Sequence, residues 1–300
     1  MKKLSTEQRA AVLTALVEGN SIASTCRMFK VNKVTVLRLL ADAGEFAADL
    51  HDSMVAELGA ERIQLDEVWS FVNCKNANVR PEGIAEGHGD AWTWVSIDAD
   101  TKLVINWLVG KRTGECANAF VGDLAARLNN RVQITSDGFS AYRAAIAKAF
   151  GNDVDYAMLV KQYETYDAGF ARYSPGKVVA ITSEHVCGTP IKEDVSTSFI
   201  ERQNLTVRMS MRRFTRLTNG FSKRLQNHKY AVALHYFHYN FIRKHQTIKT
   251  TPAVAAEVTD RVWTMLDFVR RLETEERRIG GRITDYKAAQ KKDQTGWPLH

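Results

Sequence analysis

Several protein classes are excluded by what this chain lacks. Its four cysteines, Cys26, Cys74, Cys116 and Cys187, lie far apart and form no CxxC pair. Neither a disulfide framework nor a cysteine-based zinc site is therefore expected, and a reducing cytoplasm is the expected setting. No apolar run approaches the roughly 18 residues that a membrane span needs, so no membrane partner is expected. The opening MKKLSTEQRA has no apolar stretch of the kind a signal peptide carries. An apolar share of 45% argues against disordered and fibrous classes, and 300 residues favour two or more domains.

Acidic residues are scarce in one segment. The net charge is +7, but residues 201–300 hold 20 Lys and Arg against 9 Asp and Glu, leaving −4 for the first 200. Most of the excess falls in residues 201–249, where 11 basic residues accompany a single acid, Glu201. A block of one sign points to a polyanion partner, the plainer alternative being a solvated basic face.

The first 45 residues have the pattern of a helix-turn-helix domain. Residues 6–18 space their apolar positions as a helix, a short helix follows from Ser21, and a third begins near Val34 after the tetrad KVNK. A tight turn of this kind lets the third helix enter a major groove. Asn32, Lys33, Thr35 and Arg38 are then groove-facing candidates, with Arg27 and Lys30 nearer the phosphates. The competing reading is an ordinary three-helix bundle, since residues 1–60 hold 7 basic and 7 acidic residues. Residues 46–61 are expected to be a helical connector.

From Arg62 the pattern turns to strands. Periodicity predicts strands at 62–72, 91–98, 103–110, 131–137 and 156–163, with helices at 115–128 and 140–150. The order βββαβαβ indicates an α/β domain with a mixed sheet and helices on its faces, expected over 62–250. Asp66 lies within the first strand and Asp137 ends the fourth. If those strands are neighbours, both carboxylates emerge from one sheet surface, and such a pair calls for a divalent cation. Asp137-Gly138 could equally form a turn, and Asp66 could pair with a basic residue.

A long helix is expected from Ser198, placing Glu201, Asn204, Leu205 and Arg208 on one face. Glu201 either neutralises a basic neighbour or serves a metal. Two strand aspartates and a helical glutamate can together hold two Mg²⁺ ions through oxygen ligands, a pair suited to in-line displacement at phosphorus. The adjoining cations, Arg202, Arg212, Arg213, Arg216, Lys223 and Arg224, would hold a nucleic-acid backbone. His235 and His238 have helical spacing but no acid or Cys nearby. Their stretch is expected to pack on the sheet.

Four segments carry a family resemblance: QLDEVWSF, TSDGFSAY, FIERQNLTVRMSMRRFTR and HYNFIRKHQTIKTTPAVAA. Together they resemble the DDE transposases of bacterial insertion sequences, most of all the insertion-sequence-one group, over about residues 62–260. The resemblance implies a ribonuclease-H-like core with Asp66, Asp137 and Glu201 as the metal-binding triad, holding two Mg²⁺ or Mn²⁺ ions. It places Arg208 near the reacting DNA strand and Asn204 in the same ERxNLTxR motif. The implied partners are element ends and target DNA, joined by a homodimer or higher assembly without a nucleotide cofactor.

Two departures stand out. The Cys-rich zinc motif that many members of the group carry is missing, and 64 residues separate Asp137 from Glu201. Residues 163–197 are therefore expected to be an insertion beside the site. Residues 251–300 are expected to form a helix over roughly 252–278 and a loosely ordered basic tail. A DNA-binding regulator with a non-catalytic α/β domain, or a nuclease that cuts without joining, would share many of these features. The distances among the three carboxylates are the first check: wide separation counts against a shared metal site.

Overall fold

The structure, a computed structural model, describes residues 4–163, 178–215 and 218–294. Arg216, one of the expected DNA-binding residues, and part of the expected insertion lie outside the described residues. The chain divides into two compact units. One draws on the described residues within Met1–Val55, Ser70–Asp90 and Thr206–His300, the other on those within Ala56–Trp69 and Ala91–Leu205.

In chain order the elements begin with three helices, α1 (Thr6–Val17), α2 (Ile22–Phe29) and α3 (Lys33–Met54). The middle of the chain holds β1 (Arg62–Val72), α4 (Pro81–Ala85), β2 (Gly89–Asp98), β3 (Val104–Gly110), α5 (Gly114–Ala126), β4 (Val132–Asp137), α6 (Ala141–Phe150), β5 (Val154–Tyr163) and β6 (Val178–Cys187). It ends with α7 (Ser198–Ser210), α8 (Leu225–Phe237), α9 (Pro252–Ala255), α10 (Met265–Arg278) and α11 (Ile283–Gln294).

The second unit carries a six-stranded sheet in the order β3-β2-β1-β4-β5-β6. Strands β2 and β3 pair antiparallel, β1 with β4 and β4 with β5 parallel, and β5 with β6 antiparallel. The tight Asp98–Leu103 turn suits the first antiparallel pair, whereas each parallel step needs a crossover, supplied by α5 and α6. These helices pack together and bury Phe120, Leu124, Tyr142 and Ile146. Parallel strands covered on both faces become nearly all apolar, and five of the six β4 residues are buried. The sheet and its helices match the expected mixed α/β class. Strand β6 was not foreseen. It falls in the stretch expected to be irregular, and most of its side chains are exposed, so no alternating apolar pattern announced it.

In the first unit the three N-terminal helices share a core with the C-terminal ones. Lys30, at φ 54°, closes α2 in a left-handed conformation, and Asn32 caps α3 by accepting from the Val34 N–H at 2.8 Å. Helix α3 runs unbroken to Met54, so the expected connector begins inside it. Phe237, Phe241 and Phe268 cluster, with Phe237 4.6 Å from Phe241 and 4.8 Å from Phe268 between ring centroids. The His-rich helix α8 lies against α3 in this unit, with His228 and His235 buried and His228 Nε2 3.2 Å from the Ser70 hydroxyl on β1.

Two C-terminal expectations are overturned. The single helix over 252–278 is broken: after α9 the chain turns through Glu257 at φ 58°, and a Thr264/Asp267 capping box starts α10 anew. The tail beyond Gly281 is not loose up to Gln294, because it forms α11. The Arg282 guanidinium and the Thr284 hydroxyl both donate to the buried Asp42 carboxylate on α3. Nearby, the buried Arg9 on α1 pairs with Glu273 and Glu276 on α10.

A close approach in this unit is at Gly44, on α3 where it crosses α8. A Cβ there would stand 2.5 Å from each of the Tyr230 Cα, Cβ and carbonyl oxygen. Alanine is the better helix former by about 1 kcal/mol, but overpacking against backbone costs roughly 1–3 kcal/mol or more, so packing wins. Gly44→Ala should lower stability in chemical denaturation by about 1–2 kcal/mol net. An unchanged or raised midpoint would contradict this crossing.

Candidate metal centre

The pairing of β1 with β4 brings the first two carboxylates together. The last registered pair is Leu65 with Ser136, and the next residues along each strand are Asp66 and Asp137. Strand β4 ends at Asp137, where a crevice opens at its carboxyl end, while β1 carries Asp66 past that point and runs on to Val72. Glu67 joins them. Ligand oxygens of Asp66, Glu67 and Asp137 all lie within 4.8 Å of one another, the one such group among the described residues.

Helix α7 is placed over this point by β1. The side-chain carbonyl of Gln64 accepts the Phe199 and Ile200 N–H groups at 2.9 and 3.0 Å, satisfying two donors of the helix's first turn. Two residues along β1, on the same face, Asp66 Oδ2 accepts from Asn204 Nδ2 at 2.7 Å. Two strand positions thus meet two levels of the helix, which aligns α7 with the strand. The other Asp66 oxygen, Oδ1, accepts the Glu67 N–H at 2.8 Å.

Glu201, on the same helix, is near but differently engaged. Its Oε1 accepts from the Thr197 hydroxyl at 2.6 Å and pairs with Lys161 on β5. It stands outside the tight trio, yet its charge contributes to raising the Asp66 pKa. Asp137 also makes a turn, its Oδ1 accepting the Phe139 N–H at 3.0 Å. The two local alternatives from the sequence, a turn at Asp137 and a neutralised Glu201, are thus both realised, and in the same place as the cluster.

Two of the crowded acids, Asp66 and Glu67, hold their protons more tightly than free carboxyls do. Burial, followed by the neighbouring charge of Asp137, pushes Asp66 up to about 7. Burial, again reinforced by Asp137, pushes Glu67 up to about 8, while Arg112 and the Tyr142 phenol pull it back. Arg112 Nη2 lies 3.5 Å from Glu67 Oε2 and 3.6 Å from Asp137 Oδ2, with its guanidinium 4.0 Å from the Phe139 ring centre. One shared arginine at such distances does not balance three carboxylates. Acids that repel one another, offer only oxygen ligands and open to solvent at Asp137 fit a hard divalent cation.

The remaining sequence candidates are spread over both units. Arg202 is exposed on α7, and Arg208, two turns beyond Glu201 on the same helix, is half-buried. Arg27, Lys30, Asn32, Lys33 and Arg38 are exposed and Thr35 half-buried, while the Asn32 side chain is already used as the α3 cap. Arg212, Lys223 and Arg224 are exposed. Arg213 turns inward instead, donating to Ser222 at 2.6 Å, and burial lowers its pKa to about 10. Gln64, Glu67, Arg112 and Lys161 were missed from sequence. Glu67 had a signal in its adjacency to Asp66, but strand alternation assigns neighbours to opposite faces.

Fold and side chains together define a class: a mixed-sheet unit with an acidic, cation-ready centre where one parallel strand ends beside the middle of another. No family model and no curated protein sequence matches the chain. Among solved structures it is similar to a piggyBac transposase synaptic complex with hairpin DNA, with 11% identity, 100% of this chain and 76% of that chain covered, and a TM-score of 0.40. It is also similar to a Mos1 transposase paired-end complex with left transposon end, with 15% identity, 49% and 58% covered, and a TM-score of 0.20. Likenesses this distant carry no functional argument. No helix among the described residues is long and apolar enough to cross a membrane.

The raised values fix the sign of a pH effect. Asp66 and Glu67 bind protons more tightly folded than unfolded, so their contribution to stability is full below about pH 4 and is lost as pH rises through about 7 to 8. Without divalent cations, the melting temperature should therefore fall between pH 5 and 9, with a smaller slope in Glu67→Gln. Mg²⁺ or Mn²⁺ should restore more stability at pH 8.5 than at pH 5.5. Equal stabilisation at both would contradict the cluster's electrostatics.

Proposed function

We propose that this chain is a metal-dependent transposase of the DDE type, with a ribonuclease-H-like core and resembling the insertion-sequence-one group. The observation that carries the reading is the convergence of Asp66, Glu67 and Asp137 where β4 ends beside the middle of β1, beneath the helix bearing Glu201 and Asn204. The strand order, with its central parallel strands and flanking antiparallel pairs, supports the core that the motifs imply.

Asp66, Asp137 and Glu201 would hold two Mg²⁺ or Mn²⁺ ions in this reading, with Glu67 beside them as a further oxygen ligand. When bound, such ions lower the pKa of an attacking water or 3′-hydroxyl and stabilise the displacement at phosphorus. The chain's own residues prepare the site. Asn204 and the Glu67 N–H each fix one Asp66 oxygen, which sets the carboxylate's orientation. Gln64 sets the height of α7 and so the position of Glu201. Arg112 limits repulsion between Glu67 and Asp137. Arg208 orients a phosphate, and Arg202 steadies the backbone of the reacting strand.

The N-terminal helices serve as the helix-turn-helix reader of the element ends. Arg27, Lys30, Lys33 and Arg38 are its exposed cations, and Lys223 and Arg224 extend the phosphate contacts. Synapsis of two ends requires at least a dimer. The capping role of Asn32 and the inward turn of Arg213 favour structural duties for these two over DNA contact.

The test is cleavage and joining of plasmid DNA carrying the gene with its native flanks. In Mg²⁺ the wild-type chain should release 3′-hydroxyl ends and join them to a target. Asp66→Asn and Asp137→Asn should each lower the rate by about a thousandfold, or roughly 4 kcal/mol of barrier. Cleavage without joined products would indicate a nuclease, and full activity in Asp66→Asn would overturn the assignment.

A further inference from the structure

The first unit contains a cavity of about 560 Å³ between the ends of α1 and α2, the face of α3, and residues within 211–213 and 219–235. Its size falls within the roughly 300–1,000 Å³ of small-molecule sites. The inner wall is apolar: Val17, Leu40 and Leu234 are buried there, with Leu37 and the Phe221 ring beside them. Four exposed cations stand at its edge, Lys33, Arg212, Lys223 and Arg224, and no Asp or Glu lines it. None of the four is held in a salt bridge among the described residues, so their charge is directed at the opening.

A second observation points the same way. His235 lines this cavity at 2% exposure, and neither of its ring nitrogens has a hydrogen-bond partner among the described residues. Burial keeps the ring neutral, with its pKa lowered to about 3. A neutral imidazole offers one donor and one acceptor, and buried polar groups without partners are rare enough to require a reason. Asn20, Asn219 and Asn227 add amides to the wall. An acyl chain has no use for an imidazole and three amides, and a bare anion has no use for the apolar wall. A flat heterocycle with polar edges and an attached phosphate uses all of them.

We propose that this cavity binds a nucleotide, the base lying on the Leu37–Phe221 side within reach of His235 and the phosphate at the Lys33, Arg212, Lys223 and Arg224 edge. The same chemistry has two sources, a free mononucleotide or one unstacked nucleotide of a DNA strand. Base–aromatic stacking beside a cationic track is how single strands are commonly held.

Calorimetry on the full chain tests the first source, with the four deoxynucleoside monophosphates, their nucleosides and inorganic phosphate as ligands. The second is tested with a single-stranded oligonucleotide carrying one 2-aminopurine, whose fluorescence reports entry into a protein pocket. Saturable binding in either arm is expected and identifies the source. It should weaken at least about tenfold in Leu37→Trp, which fills the cavity, and in His235→Phe. Circular dichroism verifies that each variant is folded, and Leu37→Trp keeps the test intact should His235→Phe not fold.

The proposal is overturned if neither arm shows binding, if both folded variants bind like the wild type, or if inorganic phosphate binds as well as the nucleotides. None of these outcomes bears on the carboxylates, which are tested separately by Asp66→Asn, so the two readings fail independently.

Discussion

Mutual repulsion among carboxylates is the constraint around which the sheet unit is arranged. Asp66, Glu67 and Asp137 are pressed to within 4.8 Å of one another, and burial already disfavours the charge of Asp66 and Glu67. A fold selected for stability alone would separate them or surround them with cations. Here the immediate compensation is one half-exposed arginine, Arg112, and the retention of protons. The deficit is local and concentrated, and it sits where β4 ends beside the middle of β1. A site under such strain is what a divalent cation relieves.

The rest of the sheet unit follows from holding that deficit in place. One parallel pairing puts β1 and β4 side by side, so Asp66 and Asp137 meet at the centre of the sheet from opposite ends of a long chain segment. Gln64 then anchors the first turn of α7 through two backbone donors, and Asn204 reaches back to Asp66 from one turn further on. Glu201 lies between these contacts, its carboxylate held by Thr197 and Lys161. The first unit uses buried ion pairs differently, with Arg9 and Asp42 fully partnered and tying the chain's two ends into one helical body.

Much of the sheet was legible because its elements obey simple periods. Strands β1 to β5 alternate or run apolar, and α5 and α6 repeat at helical spacing, so the crossovers and the placement of Asp66 and Asp137 followed. The pieces that escaped are those whose pattern is set by partners distant in sequence. Strand β6 exposes most of its side chains and is defined by pairing with β5, not by its own composition. Glu67 joins the cluster although alternation points it away. The tail helix α11 looked loose because its anchors, Arg282 and Thr284, meet Asp42 some 240 residues earlier. The break before α10 was the avoidable miss, since Thr264 and Asp267 spell a capping box. Arg213 was taken for surface because a basic block says nothing about which member turns inward.

The central claim is that these carboxylates form a metal centre, and direct counting of bound Mn²⁺ by electron paramagnetic resonance tests it with no assumption about DNA. The account predicts sub-millimolar binding to the wild-type chain at pH 8 that weakens strongly below pH 6 and is lost in Asp137→Asn. Absence of binding at millimolar Mn²⁺, or binding that Asp137→Asn leaves unchanged, would contradict it.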